Sequence, residues 1–232
     1  MRRSIVLDSK CDLLVFGMGE RAAWEIARRL DAGERVTDLR DVRGTAYAIG
    51  KGWEPLLEKK SRFTTDGGIV VLPSYEEITA DKESFAKMAL AFQMETNAQN
   101  GHALLQVHGR EAVYFNSPAL PLEEGDMDGL YDLPFTRLPH PSYGGERIPA
   151  YETIKHSIVT MRGCFGGCTF CSITEHEGRV IQSRSEASVL REVRALSRME
   201  GFSGVITDVG GPTANMYKMH CKDERTESAC RR

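Results

Sequence analysis

Three cysteines, Cys164, Cys168 and Cys171, fall within eight residues of one glycine-rich loop, and no other feature limits this chain's fold and chemistry so tightly. The run is Arg162-Gly163-Cys164-Phe165-Gly166-Gly167-Cys168-Thr169-Phe170-Cys171. Thiols packed this closely point to a metal rather than to disulfides, because pairing two would leave one unmatched. A cubane iron–sulfur cluster needs thiolates converging from several directions, so the chain must curl around it. Gly163, Gly166 and Gly167 supply the backbone freedom for that curl. Three ligands leave the fourth iron of a [4Fe-4S] cluster open to a small molecule bearing an amine and a carboxylate. Phe170, just before the third cysteine, would cover the cluster on one side and offer an apolar surface to a purine. Zinc is the competing reading. A structural zinc site uses four ligands, often in C-x2-C pairs. Only Cys168 and Cys171 form such a pair, so zinc would also need Cys164 and a distant partner such as His176 or Cys221.

The rest of the composition narrows the setting. At 232 residues, 41% hydrophobic and 27% charged, the chain is long enough to bury a core and ordinary for a soluble globular protein. A net charge of -3 gives no general field for nucleic acid or an anionic membrane. Leu13 to Phe16 and Ile69 to Leu72 are strand-sized, and no apolar run reaches the length of a bilayer span. Arg2 and Arg3 are not followed by the apolar run of a signal peptide. The expectation is a cytoplasmic protein with no membrane or nucleic-acid partner.

The first fifty residues suggest a βαβ-like piece. Asp12 to Phe16 is a short strand and Gly17 to Glu20 a turn. A helix follows through Ala22, Ala23, Ile26, Ala27 and Leu30 to Gly33, and then a strand at Ala46 to Ile49. Gly17 and Gly19 supply two glycines of a dinucleotide fingerprint, where a plain strand-to-helix turn is the stronger reading. Ile69 to Leu72 is a further strand. Phe85, Met88, Ala89 and Phe92 stripe a helix from Asp81 to Glu95 and are expected in the core. Leu104 to Val107 and Ala112 to Phe115 flank a hairpin turn.

Six of the nine prolines lie between Asn116 and Pro149, which predicts a connector without regular helix. Beyond it, His156 to Met161 is a strand entering the cysteine loop. Ser185 caps a helix carrying Val189, Leu190, Val193, Leu196 and Met199, and Gly204 to Val209 is a strand ending in Gly210-Gly211-Pro212. Strand, loop, helix, strand is one parallel crossover unit, with the cysteine loop and Gly210-Gly211 at the same end. Three organisational segments follow: 1–115, an α/β region; 116–150, the connector; 151–232, a second α/β region.

The C-x3-C-x2-C pattern, with an aromatic before the third cysteine and a strand before the first, resembles the signature of the radical S-adenosylmethionine (radical-SAM) superfamily. The runs RGCFGGCTFCSITEHEGRVIQSRS (162–185) and SGVITDVGGPTANMY (203–217) are similar to the YgiQ-type radical-SAM proteins, and the similarity extends over most of the chain. The resemblance implies that Cys164, Cys168 and Cys171 ligate a [4Fe-4S] cluster and that S-adenosylmethionine chelates its open iron. An external electron donor would drive cleavage to methionine and a 5'-deoxyadenosyl radical, which takes hydrogen from an unknown substrate. Gly210 and Gly211 stand where the superfamily has a Gly-Gly-Glu-like turn touching the methionine moiety. Pro212 replaces the acidic residue, and a purely structural turn is an equal reading of the two glycines.

The fold implied is α/β: an incomplete N-terminal Rossmann-like (B12-binding-like) region, then the first βαβ unit of a radical-SAM partial (β/α) barrel. Family members are much longer, so the sequence is expected to be a fragment, with an inactive fragment or a non-catalytic zinc or redox iron–sulfur module as the alternative function. No D-x-H-x-x-G cobalamin motif occurs. For His176 a solvated or packing role is the stronger reading, with a substrate contact as the alternative, and Arg184 is expected in a surface ion pair. Cys221 and Cys230 resemble the start of a further cysteine-containing stretch and carry no assigned role.

Overall fold

The computed structural model describes residues 2–50, 52–57, 68–212 and 214–230. Thr213, within the second family-like run, lies outside them. Two compact units form. The first comprises Met1–Leu120, Gly166–Arg179 and Cys221–Arg232, and the second Pro121–Phe165 and Val180–His220.

The first unit opens with α1 (Ile5–Ser9), β1 (Leu14–Val15), α2 (Glu20–Asp31) and β2 (Thr45–Ile49). Gly19 begins α2 in the left-handed region (φ +68°), where a Cβ would press on Val15 Cγ1 at 3.0 Å. Ala22 and Ile26 turn the helix toward Leu39 and Val42. Leu30, expected on the same apolar face, is instead exposed. Then come α3 (Glu54–Leu57), β3 (Ile69–Val71), α4 (Tyr75–Ala80), α5 (Lys82–Met94), β4 (Ala103–His108) and β5 (Glu111–Phe115). Ser74 and Glu77 form a capping box on α4, and Asp81 caps α5 by accepting from Ser84 N–H.

The five strands lie in the order β1-β2-β5-β4-β3. β1–β2, β2–β5 and β4–β5 pair antiparallel, and only β3–β4 is parallel. The unit is therefore mixed α/β, and the βαβ-like, Rossmann-like arrangement expected for the first fifty residues is corrected. β2 returns beside β1 antiparallel, so α2 is not a parallel crossover. The β4–β5 hairpin forms as expected, with Gly109 at φ +62° in its two-residue turn. Alternate residues face opposite sides of the sheet: Val113 packs with Val6, Leu7 and Ala46, whereas Ala112 packs with Ile69 and Leu105. The α5 stripe is less buried than its spacing suggests, with Phe85 and Phe92 both more than a third exposed.

His108, at the end of β4, is buried and stacks on Tyr75 with ring centroids 5.3 Å apart. Neither ring nitrogen has a hydrogen-bond partner among the described residues. Burial pulls its pKa below the ordinary 6.5, while Glu76 pushes the other way. The unfolded chain therefore takes up a proton that the folded chain refuses, so stability falls as pH drops below about 6.5. His108→Phe is expected to flatten urea-unfolding stability between about pH 6.5 and 5 relative to wild type. An unchanged slope would show that His108 does not set it.

The second unit begins with α6 (Glu124–Tyr131), α7 (Pro149–Ile154), β6 (Ser157–Val159) and β7 (Met161–Arg162). The chain then contributes α8 (Ile173–Glu177) to the first unit, β8 (Gln182–Ser183), α9 (Glu186–Leu196) and β9 (Asp208–Gly210) to the second, and α10 (Glu224–Ala229) to the first. α6 corrects the expectation that the proline-rich stretch lacks helix. It fits in the proline-free interval between Pro121 and Pro134, opens with a Glu123–Asp126 capping box, and buries Met127 completely.

β6 and β9 pair in parallel, with Ile158 opposite Val209, and α9 lies between them in sequence. The expected strand His156–Met161 is split at Thr160. Its N–H donates to Gly210 O (2.7 Å) while its carbonyl accepts from Arg184 N–H (3.0 Å), which hands the chain from β9 to the β7–β8 pair.

Arg184 also differs from expectation: it is fully buried. Its guanidinium donates to Val159 O (2.9 Å), Ser188 Oγ (2.9 Å) and the Glu192 carboxylate, and lies 4.0 Å from the centre of the Tyr131 ring. Arg137 bonds the other oxygen of Glu192. Burial lowers the pKa of both guanidinium groups. Ser188 and Glu192 are four apart on α9, so one helix face presents both partners to Arg184. Among the described residues no helix is long and apolar enough to cross a membrane.

Candidate metal centre

β7 feeds directly into the cysteine loop. Gly163 takes φ +91°, and a Cβ there would collide with the carbonyl oxygen of Val180, so the entry to the loop admits only glycine. Cys164 follows, buried in the second unit. Gly167 takes φ +61°, opening the backbone between the first and second cysteines. In the first unit, Cys171 N–H donates to Cys168 O at 3.0 Å across a turn through Thr169 and Phe170. That turn fixes the spacing of the two C-terminal cysteines and puts Phe170 at its tip, 91% exposed. α8 (Ile173–Glu177) then follows and is terminated by Gly178 at φ +87°.

All three thiols are free of disulfides, Cys168 exposed and Cys171 half-buried. Their chemistry fits three irons of a [4Fe-4S] cluster, since thiolate is the ligand such clusters take and the loop carries glycine where it must reverse. Among the described residues no three His, Cys, Asp or Glu side chains are gathered as an ion site.

Packing explains one glycine of the pair, Gly211. Gly210 O accepts from both the N–H and the hydroxyl of Thr160 (2.7 and 3.2 Å). A Cβ on Gly211 would run into the sulfur of Met161, which is fully buried and has little room to yield. Gly210 and Gly211 thus lie against the strand that enters the cysteine loop, as expected, and Gly211 has a structural requirement of its own. Beside them, Thr160, Val189, Leu190, Val209 and Tyr217 line a cavity of about 280 Å³. That lies just below the roughly 300 Å³ at which ligand pockets begin.

His176 is exposed, and its carbonyl lies 3.4 Å from where a Cβ on Gly17 would sit. The Gly17–Gly19 turn therefore abuts α8. Sequence reasoning passed over Arg179, just beyond α8. It is buried, donating from Nε to Thr96 Oγ1 (2.8 Å) and from Nη2 to Gln93 O (3.4 Å). A gap of 83 residues separates Arg179 from Thr96, so no local pattern announces the contact.

Residues 1–157 match the family model described as Radical SAM N-terminal. The whole chain is similar to UPF0313 proteins: 50% identical to one from Geobacter sulfurreducens, 48% to one from Rhodopseudomonas palustris and 43% to YgiQ from Escherichia coli K12. Each comparison covers 100% of this chain but only 36–38% of the relative, so the chain spans little more than a third of the curated relatives it matches. No solved structure matches.

Proposed function

We propose, from the premise that this chain belongs to the radical-SAM N-terminal family, that it is the cluster-bearing part of a radical-SAM enzyme. The observation that carries the reading is the C-x3-C-x2-C set, none of it in a disulfide, on a glycine-permissive loop directly after a strand paired in the second unit. Cys164, Cys168 and Cys171 would hold three irons of a [4Fe-4S] cluster. When bound, the cluster and S-adenosylmethionine together supply one-electron cleavage of a sulfonium, and so a 5'-deoxyadenosyl radical for hydrogen abstraction.

The chain's own residues then have defined tasks. Gly163 and Gly167 let the backbone wrap the site. Phe170, exposed at the tip of its turn, would be available to cover the cluster and offer a face to adenine. Gly210 and Gly211 would offer bare backbone to the methionine end of the cofactor. In this reading 151–232 open the radical-SAM core, with β6, α9 and β9 as the first βαβ unit of a partial (β/α) barrel. Residues 116–150 connect that core to the α/β region 1–115. The substrate belongs to the full-length protein, as does the external electron donor, and the setting is the reducing cytoplasm in which thiolate ligands persist.

The test is anaerobic reconstitution of the chain with iron and sulfide, followed by dithionite-dependent release of 5'-deoxyadenosine. Brown protein with about four irons and four sulfides per chain, and adenosyl release, is expected. A colourless preparation that retains zinc instead would replace this reading with a structural zinc module.

A further inference from the structure

The first unit contains a loop whose polar side chains are buried and point to other parts of the chain. Glu95, Thr96, Asn97 and His102 are all buried, although the segment joins α5 to β4 and has no strand or helix of its own. It is stiffened from within. Glu95 Oε2 accepts from His102 N–H (2.7 Å) and sits 2.9 Å from His102 Nδ1. Gln99 N–H donates to Asn97 Oδ1 (2.9 Å) and Gly101 N–H to Asn97 O (2.6 Å). A Cβ at Gly101 would stand 2.5 Å from Glu95 O and 2.7 Å from Asn97 O, so the loop closes only around glycine. Arg43 Nη2 clips it from outside at Ala98 O, 2.5 Å away.

This stiff loop receives two segments from far along the chain. Thr96, with Gln93, takes the guanidinium of Arg179, at the end of the segment that carries Cys168 and Cys171. Asn97 Nδ2 donates to Glu227 O (3.0 Å) and Cys230 O (2.8 Å), and Asn100 Nδ2 to Ser228 O (2.6 Å), which fastens α10. Arg179 is a buried cation held by neutral acceptors, and its Nη1 has no hydrogen-bond partner among the described residues. Such a contact adds little net stability for the desolvation it requires, but its direction is strict.

We propose that the Glu95–His102 loop is a socket that positions the cysteine arm, with Arg179 and Thr96 as its positioning residues for iron retention at Cys168 and Cys171. The inference rests on the iron–sulfur reading of the cysteines. It gives the N-terminal α/β unit a role in that site, in place of an independent nucleotide-binding role. α8 is a single short helix between Cys171 and Arg179, so fixing Arg179 fixes the base of the arm. Partners that orient metal ligands commonly alter affinity by roughly 10–100-fold when removed.

The full chain is compared with Thr96→Val, Arg179→Gln and Arg179→Lys. Iron retained under a chelator challenge after reconstitution is measured. Separately, the iodoacetamide alkylation rate of the metal-free chain is measured at Cys171, with Cys11 as internal reference. Cys11 lies in the same unit but packs against the α1–β2 core, away from the arm. Thr96→Val and Arg179→Gln are expected to lose iron about 10-fold faster and to speed alkylation at Cys171 but not at Cys11. Arg179→Lys, which keeps a cationic donor, should recover part of both. Unchanged retention and alkylation would overturn the socket, and so would equal acceleration at Cys11 and Cys171, which marks general unfolding. A wild-type chain that takes up no iron removes the cluster reading alone, because the alkylation contrast still decides whether Arg179 holds the arm.

Discussion

Glu192→Ala is expected to destabilise the chain by roughly 3–5 kcal/mol, the largest loss anticipated from any single side chain outside the cysteine loop. Glu192 is the carboxylate shared by Arg184 and Arg137, and its side chain is only 12% exposed. Removing it leaves a fully buried guanidinium with one carbonyl, one hydroxyl and the Tyr131 ring, none of which carries a full negative charge. Burial already lowers the Arg184 pKa, so the environment disfavours the cation even before its partner is lost. Glu192→Gln keeps an acceptor while losing the charge, and should cost less. Urea unfolding followed by far-ultraviolet circular dichroism provides the measurement. A loss below about 1 kcal/mol, the level of an exposed pair, would mean that Arg184 escapes to solvent when Glu192 is gone. Because Arg184 also donates its backbone N–H to Thr160, the same variant should loosen the junction of β6 and β7 that leads into the cysteine loop.

Arg184 also marks where sequence reading succeeds and where it stops. The Ser185 cap and the apolar spacing of α9 were legible because both are local: a hydroxyl three residues before the N–H it accepts from, and a helical repeat. The hairpin of β4 and β5 and the extent of α5 were legible for the same reason. The pairing direction of β1 and β2 was not. β1 has two residues, too few for a pattern that distinguishes a parallel from an antiparallel neighbour. α6 escaped because proline density was averaged over the whole connector, while helix formation depends on the proline-free interval within it. The burial of Arg184 had a faint signal in Ser188 and Glu192 on one helix face, yet an arginine beside a serine looks like surface. In the candidate site, the backbone freedom needed at Gly163 and Gly167 was legible, because a clustered thiol loop must reverse locally. Thr96 and Arg179 were not, since only the tertiary fold brings residues 83 apart together.

Cys168→Ala should lower iron and sulfide in the reconstituted chain to the level of an unreconstituted control and reduce dithionite-dependent 5'-deoxyadenosine release by more than about 100-fold. That exceeds the span typical of residues that only orient a ligand. On the iron–sulfur reading three thiolates would serve a four-iron cluster, each as the terminal ligand of one iron, so the set has no spare donor to replace Cys168. Alanine keeps the backbone bond from Cys171 N–H to Cys168 O, so the loop loses a ligand and little else. Cys11→Ala and Cys221→Ala are the matched controls: each removes a free thiol outside the loop, and neither should change iron content. Full iron retention in Cys168→Ala together with loss in Cys221→Ala would transfer the ligand role to the C-terminal cysteines. Equal retention in all three variants would show that the metal is held by groups other than these thiols.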